Sequence, residues 1–111
     1  MVYCFDIECQ IYRNENVAQC EVVGLNIGDY EVPVAHIILE KECEISEEQV
    51  IKDIHSYCVQ NLPKNSVPCG YKICSSFPVK SSGKRDMELI MQDRKGFLRP
   101  LEEKMEQVNF E

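Results

Sequence analysis

Residues 77–84 read Phe-Pro-Val-Lys-Ser-Ser-Gly-Lys and give the strongest indication of fold in this 111-residue chain. They follow a short apolar segment and precede residues 86–90, which can continue as a helix. Pro78 fixes its own φ, and Gly83 can adopt backbone conformations closed to other residues. The sequence therefore predicts a loop with Lys84 at its tip, from which an ammonium group can reach outward to an anion.

The segments upstream of this loop predict a pair of strands. Residues 17–25 are rich in β-branched side chains, Gly28-Asp29-Tyr30 supplies a turn, and residues 32–39 form a second apolar run. Pro33 cannot donate to a strand ladder, so we expect it at a strand start or at an edge.

The loop and these strands carry a family resemblance. Pro78, Gly83, Lys84 and Asp86 fit the pattern proline, four residues, glycine, lysine, any residue, aspartate. This resembles the C-terminal lysine motif of the AMP-forming adenylating enzymes, which include acyl-CoA synthetases, peptide-synthetase adenylation domains and luciferases. Further segments in the right order resemble the helix and the two strands of that family's C-terminal domain, namely Asp6-Ile7-Glu8, Val17-Ala18 with Val22-Val23-Gly24, and Glu31-Val32-Pro33-Val34-Ala35.

Residues 5–12 give conflicting signals. Phe5, Ile7, Cys9 and Ile11 alternate with polar residues or Tyr12, which favours a strand, whereas Ile7 and Ile11 also make an i, i+4 apolar face. The resemblance implies a helix here, and we predict a helix.

The rest of the chain predicts three helices and one strand. Ser46-Glu47-Glu48-Gln49 forms a capping box for an amphipathic helix that ends at Pro63. Residues 67–74 predict a third strand and residues 86–92 a short helix, with Asp86 as its cap. Leu98, Leu101, Met105 and Val108 predict a last amphipathic helix, with Pro100 in its first turn.

Together these elements predict the α/β (α+β) class, with a small three-stranded sheet flanked by helices. The whole chain, 1–111, is expected to be a single domain, with a core over about 5–92 and a C-terminal helical extension over about 97–109. A chain of this length is too small to bury a nucleotide and an acyl substrate in one deep cleft. By resemblance it is the C-terminal lid domain of an adenylating enzyme and is not expected to be active alone.

Composition excludes several classes of partner. The formal net charge is −7, and its carboxylates are spread through the chain. Nucleic-acid binding and membrane-surface binding both require a basic surface, so neither is expected. No apolar run approaches a membrane span and no basic leader opens the chain, so we expect a cytoplasmic protein.

The seven cysteines form no Cys-x-x-Cys pair. Free thiols acting as small hydrophobic groups are the preferred interpretation. A zinc site from His55, Cys58, Cys69 and Cys74 lacks the usual ligand spacing, so no metal site is predicted. His36 and His55 are expected to be a strand residue and a helix-surface residue.

The resemblance implies a chemistry for the loop. Lys84 would be the catalytic residue, and Gly83 and Lys84 would contact substrate, during ATP-dependent adenylation of a carboxylic acid. ATP and Mg²⁺ would be held mainly by a larger N-terminal domain, and CoA or the phosphopantetheine of a carrier protein would accept the acyl group after the lid reorients. Fatty acid metabolism is the expected setting.

Two alternatives stay open at the level of sequence. One is an adenylation domain that loads a carrier protein. The other is a non-enzymatic small α/β binding module, with an anionic metabolite at Ser81-Ser82-Gly83 or a protein on the last helix. In that case Lys80, Lys84 and Arg85 would form only a solvated basic loop. Two residues also depart from the family pattern. Arg85 stands where the family usually has an apolar residue, and Lys80 stands where it commonly has a small or apolar one.

Overall fold

The computed structural model describes residues 4–102 and 104–111. Its elements, in chain order, are α1 (Cys4–Ile11), β1 (Val17–Ile27), β2 (Tyr30–Leu39), α2 (Glu47–Asn61), β3 (Tyr71–Ile73), α3 (Met87–Gln92), β4 (Phe97–Leu101) and β5 (Lys104–Val108). A 3₁₀ turn over Lys64–Ser66 precedes β3. None of the helices in the described ranges is long and apolar enough to cross a membrane.

The strands form one five-stranded sheet in the order β1-β2-β3-β4-β5. Strands β2 and β3 are parallel, and the other neighbouring pairs are antiparallel. The parallel pair needs a crossover connection, which α2 supplies. The predicted mixed α and β class is confirmed, whereas the predicted count of three strands is wrong.

The β1–β2 hairpin forms where the sequence predicted it. Its register runs from Val17 opposite Leu39 to Ile27 opposite Tyr30. Pro33 is the fourth residue of β2 and not its first, which corrects one of the two predicted positions. Its carbonyl accepts a hydrogen bond from the Cys69 amide at 2.8 Å, and the ladder to β3 begins only at Ala35. The missing N–H of Pro33 therefore falls on a stretch of β2 without a ladder partner on that side.

Both predicted upstream helices are present. Helix α1 buries Ile7 and Ile11 completely, so the i, i+4 face and not the alternation describes this segment. Helix α2 begins after Ser46, whose hydroxyl oxygen accepts a hydrogen bond from the Gln49 amide at 3.2 Å.

Apolar side chains pack on both faces of the sheet. Val22 and Ala35 belong to the cluster under α1 and α2, whereas their neighbours Val23 and Val34 belong to a second cluster with Ile90 of α3. Successive side chains of a strand point to opposite faces, so β1 and β2 are covered on both sides.

The C-terminal segment is a hairpin, and the predicted helix over 97–109 is wrong. Strands β4 and β5 pair from Phe97 opposite Val108 to Leu101 opposite Lys104, and Glu102 has a φ of 56° in the turn. Phe97 packs in one cluster while Leu98 packs against the other. Because these neighbouring apolar residues pack on opposite faces, β4 lacks the alternation that identifies a half-exposed strand.

The third strand is also shorter than predicted. It covers only Tyr71–Ile73 of the expected 67–74. At Gly70, a Cβ atom would lie 2.8 Å from the Phe97 Cβ, so the chain approaches β4 too closely there for any larger residue.

Candidate functional site

The lysine loop, residues 78–86, is a small closed turn between β3 and α3. Its two sides meet in an isolated antiparallel bridge between Val79 and Arg85. The Lys80 amide donates to the Lys84 carbonyl at 2.8 Å, and the Gly83 amide donates to the Lys80 carbonyl at 2.9 Å. Gly83 has a φ of 88°, the left-handed conformation that glycine adopts without strain.

Lys84 lies at the exposed end of this turn, as the sequence predicted. Its ammonium group has no hydrogen-bond or ion-pair partner among residues 4–102 and 104–111. The backbone that carries Lys84 is therefore ordered by hydrogen bonds, and its ammonium group is free to meet an anion from outside the chain.

The two ends of the loop are held by hydrogen bonds. The Asp86 amide donates to the Pro78 carbonyl at 2.8 Å. The Asp86 carboxylate accepts a bond from the Leu89 amide at 3.3 Å, which makes it the N-cap of α3 and confirms its predicted role.

Arg85 attaches the loop to strand β1. Its Nη1 donates to Glu21 Oε1 at 2.9 Å and to the Cys20 carbonyl at 3.2 Å, while Nη2 donates to Gln19 Oε1 at 3.0 Å. The guanidinium also lies 4.7 Å from the centroid of the Phe77 ring, within the range of a cation–π contact. The sequence analysis treated Arg85 only as a departure or as a solvated charge, and it therefore missed this attachment. Its signal was the charged residue in an otherwise apolar position of the motif.

A second carboxylate lies beside this attachment. Glu8 of α1 accepts a hydrogen bond from the Val22 amide at 2.8 Å. Burial raises the pKa of Glu8, the Val22 amide opposes that shift, and the neighbouring Glu21 adds to it. Helix α1, strand β1 and the lysine loop are thus joined by one polar cluster.

The two histidines lie away from the loop's tip. His36 is 3% exposed on β2, packs edge-on against Phe97, and its pKa is lowered by burial. His55 lies on α2, and its Nδ1 is 3.0 Å from the Tyr71 hydroxyl, so its ring is hydrogen-bonded within the domain. Neither position brings a base to Lys84.

All seven cysteines are unpaired in the structure. Burial raises the pKa of Cys58 to about 11 and that of Cys20 to about 12, which keeps both thiols protonated near neutral pH. Within the described ranges, no group of three His, Cys, Asp or Glu side chains is arranged to hold a metal ion.

The lysine loop does not line either of two grooves found on the described part of the surface. One, of about 160 Å³, lies between α1 and α2 beside Arg13 and Tyr57. The other, of about 800 Å³, lies beside the β1–β2 turn and Lys64. Lys84 instead faces open solvent, a geometry suited to completing a pocket on another body.

Comparison with protein families gives a match over residues 6–84 to the model described as AMP-binding enzyme C-terminal domain. This match runs from the first matched helix to Lys84 of the lysine motif, and it confirms the resemblance. No curated protein is significantly similar to the sequence.

Solved structures share the fold at low identity. The chain is similar to an ATP-bound RpMatB-BxBclM chimera, with a TM-score of 0.71, 22% identity, and coverage of 82% of this chain and 18% of that chain. The anthranilate CoA ligase AuaEII in complex with anthranoyl-AMP matches with a TM-score of 0.69 and 23% identity, again over 82% and 18%. A Mycobacterium tuberculosis fatty acyl CoA synthetase matches with a TM-score of 0.63 and 24% identity, over 82% and 17%. The chain thus spans less than a fifth of the length of these proteins.

Proposed function

Because this chain belongs to the family of AMP-binding enzyme C-terminal domains, we propose that it is the lid of an AMP-forming acyl-CoA synthetase. Its role is to bring Lys84 to a nucleotide and a carboxylic acid that are bound elsewhere. The observation that carries this proposal is the exposed, unpartnered Lys84 ammonium on a turn closed by its own backbone hydrogen bonds.

The chemistry of adenylation explains why one cation is needed. A carboxylate must approach the α-phosphate of ATP while negative charge moves onto the departing pyrophosphate. A fixed positive charge between the two anions reduces their repulsion and stabilises the crowded transition state. Lysine suits this task because it is a compact charge on a flexible stem.

The larger domain is part of the proposal. The matched segment is 18% of the length of two similar proteins, whose structures hold ATP and anthranoyl-AMP respectively. We assign nucleotide and acyl binding to such a domain, and Lys84 is delivered to it on closure, as lids complete other active sites.

The cofactors are also assigned to parts of the enzyme outside this chain. Mg²⁺ is assigned to the ATP phosphates and the larger domain, because Mg²⁺ in ATP-using sites is bound largely by substrate phosphates and water. CoA is proposed as the thiol acceptor, since similar structures are CoA ligases or synthetases. A carrier protein as acceptor, fatty acid metabolism and a cytoplasmic location stay predictions.

A titration of the isolated chain separates a lid from a binding module. We expect ATP to cause no saturable shift of the Ser82, Gly83 or Lys84 amide resonances, because a lid lacks most of the nucleotide contacts. Saturable binding of ATP, or of another anionic metabolite, to the isolated chain would instead support the binding-module alternative.

Replacing Lys84 tests its catalytic role. In the complete enzyme, the larger domain with this chain, Lys84→Ala should slow acyl-adenylate formation by roughly 10²- to 10³-fold, comparable to the loss of one preorganised charge-stabilising donor. Lys41→Ala, which removes an exposed lysine between β2 and α2, is the control and should keep the native rate. The rate of ATP–pyrophosphate exchange measures both. Equal rates in the two variants would contradict the proposal.

A further inference from the structure

The tip of the lysine loop has little support from neighbouring elements. Residues 80–84 are all exposed, and a Cβ atom on Gly83 would meet nothing within 4 Å. The backbone hydrogen bonds of residues 78–86 close the turn on itself, and none of those described reaches a strand of the sheet. Phe77 and Met87 pack against the second apolar cluster, outside the two ends of the turn.

Arg85 is the attachment next to Lys84. Its guanidinium donates to three acceptors on consecutive residues of β1, from Gln19 to Glu21. A guanidinium presents its donors in a rigid planar fork, so several simultaneous bonds define an orientation as well as a distance. The Glu21 side chain is 17% exposed, so water competes with this ion pair less than with a fully exposed one.

The position of Arg85 transmits that orientation to Lys84. Adjacent Cα atoms are about 3.8 Å apart, so the backbone at Lys84 follows the backbone at Arg85. Arg85 also pairs with Val79 across the base of the turn, which ties both sides to the same attachment.

We propose that Arg85 is a positioning residue. Its hydrogen bonds to Glu21, Gln19 and the Cys20 carbonyl hold the lysine loop against strand β1, an attachment that we call the latch. The latch sets the direction in which Lys84 points. The catalytic consequence rests on the proposed function of Lys84, whereas the latch itself is a property of this chain. Arg85 does not contact substrate in this account; it acts through the backbone of its neighbour.

The latch is tested on the 111-residue chain by ¹⁵N relaxation. In the native chain, the amides of Ser82, Gly83 and Lys84 should have order parameters near 0.85, as in rigid backbone, and in Arg85→Met they should fall below about 0.6. Methionine retains a flexible apolar stem but removes all of the donors. Arg99→Met, which removes the 2.7 Å pair of Arg99 with Glu106 in the β4–β5 hairpin, is the matched control. It should leave the loop unchanged.

Two further variants keep the test decisive. Arg85→Lys retains the positive charge but loses the planar guanidinium, so we expect order parameters of the loop amides between those of the native chain and of Arg85→Met. This variant also provides the test if Arg85→Met fails to fold. Glu21→Gln retains an acceptor but removes the ion pair, and it should also loosen the loop. Unchanged order at Gly83 and Lys84 in Arg85→Lys and Glu21→Gln, with the resonances of α2 at their native positions, would overturn the latch.

An activity measurement separates the latch from the role of Lys84. In the complete enzyme, Arg85→Met should lower kcat for adenylation roughly ten- to a hundredfold, the scale of a misplaced reacting group, with little change in the KM for ATP. Native activity in Arg85→Met together with inactive Lys84→Ala would reject only the aiming role of Arg85. Native activity in Lys84→Ala would reject the proposed function, and the relaxation data on the latch would stand by themselves.

Discussion

Gly83 and Gly28 share a backbone conformation but occupy different places in the molecule. Their φ values are 88° and 62°, and a Cβ atom at either position would meet nothing within 4 Å. Substitution by alanine therefore costs conformational strain without a steric clash, about 1–2 kcal/mol of unfolding free energy at each site. Urea denaturation of Gly83→Ala and Gly28→Ala measures this cost.

The two glycine variants should differ in activity. Gly83→Ala distorts the turn that presents Lys84, whereas Gly28→Ala distorts only the β1–β2 turn. We expect adenylation by the complete enzyme to fall severalfold or more in Gly83→Ala alone. Equal activity at equal loss of stability would show that the conformation of Gly83 does not set the position of the lysine.

Glu8 gives the chain a pH dependence. Burial raises its pKa, with the Val22 amide opposing and Glu21 reinforcing the shift. The folded state therefore holds this proton more tightly than the unfolded state does. The resulting stabilisation is fully present below the ordinary glutamate pKa of about 4.3 and is lost as pH rises through the raised folded-state value.

Glu8→Gln removes this titration but keeps an oxygen that can accept from the Val22 amide. We expect the unfolding free energy of Glu8→Gln to fall less than that of the native chain as pH rises from about 4.3 to 7. Urea denaturation at a series of pH values gives both slopes. Glu15→Gln, at an exposed carboxylate, is the control. A native-like slope in Glu8→Gln would mean that its burial has no energetic effect.

At the scale of elements, local signals predicted most of the fold. The four-residue segment from Ser46 to Gln49 is enough to predict the start of α2. The β1–β2 hairpin is predicted by a turn between two adjacent apolar runs. The β4–β5 hairpin was missed because the adjacent residues Phe97 and Leu98 pack against clusters on opposite faces, so β4 lacks an apolar period of two. The charge at an apolar position of the motif marked Arg85 as unusual, but its partner Glu21 is 64 residues away, and the sequence does not identify that partner.

The cap of α2 is itself testable. Ser46→Ala removes the oxygen that accepts from the Gln49 amide, so the unfolding free energy should drop by about 0.5–2 kcal/mol. Ser56→Ala lies on the exposed side of the same helix, where alanine is favourable, and should be neutral or slightly stabilising. Thermal and urea denaturation compare the two. Equal stability of the two variants would argue that the cap does not contribute.

At the scale of the whole molecule, an acidic domain presents a loop with an unpaired cation. The formal net charge is −7, yet Lys80 and Lys84 lie exposed on one turn without a carboxylate partner in the described ranges. This turn lines neither the groove beside Arg13 nor the groove beside Lys64, and similar structures contain more than four-fifths of their length beyond the matched segment. These features are consistent with the proposal that this domain acts on a site held by a larger domain.

The most direct measurement compares the two half-reactions of the complete enzyme in Lys84→Ala. Acyl-adenylate formation from ATP and the carboxylic acid should be strongly suppressed. Thioester formation from supplied acyl-adenylate should proceed at close to the native rate, because that step no longer brings a carboxylate to a phosphate. Equal loss of both half-reactions would show that Lys84 supports the structure of the domain and is not the cation of adenylation.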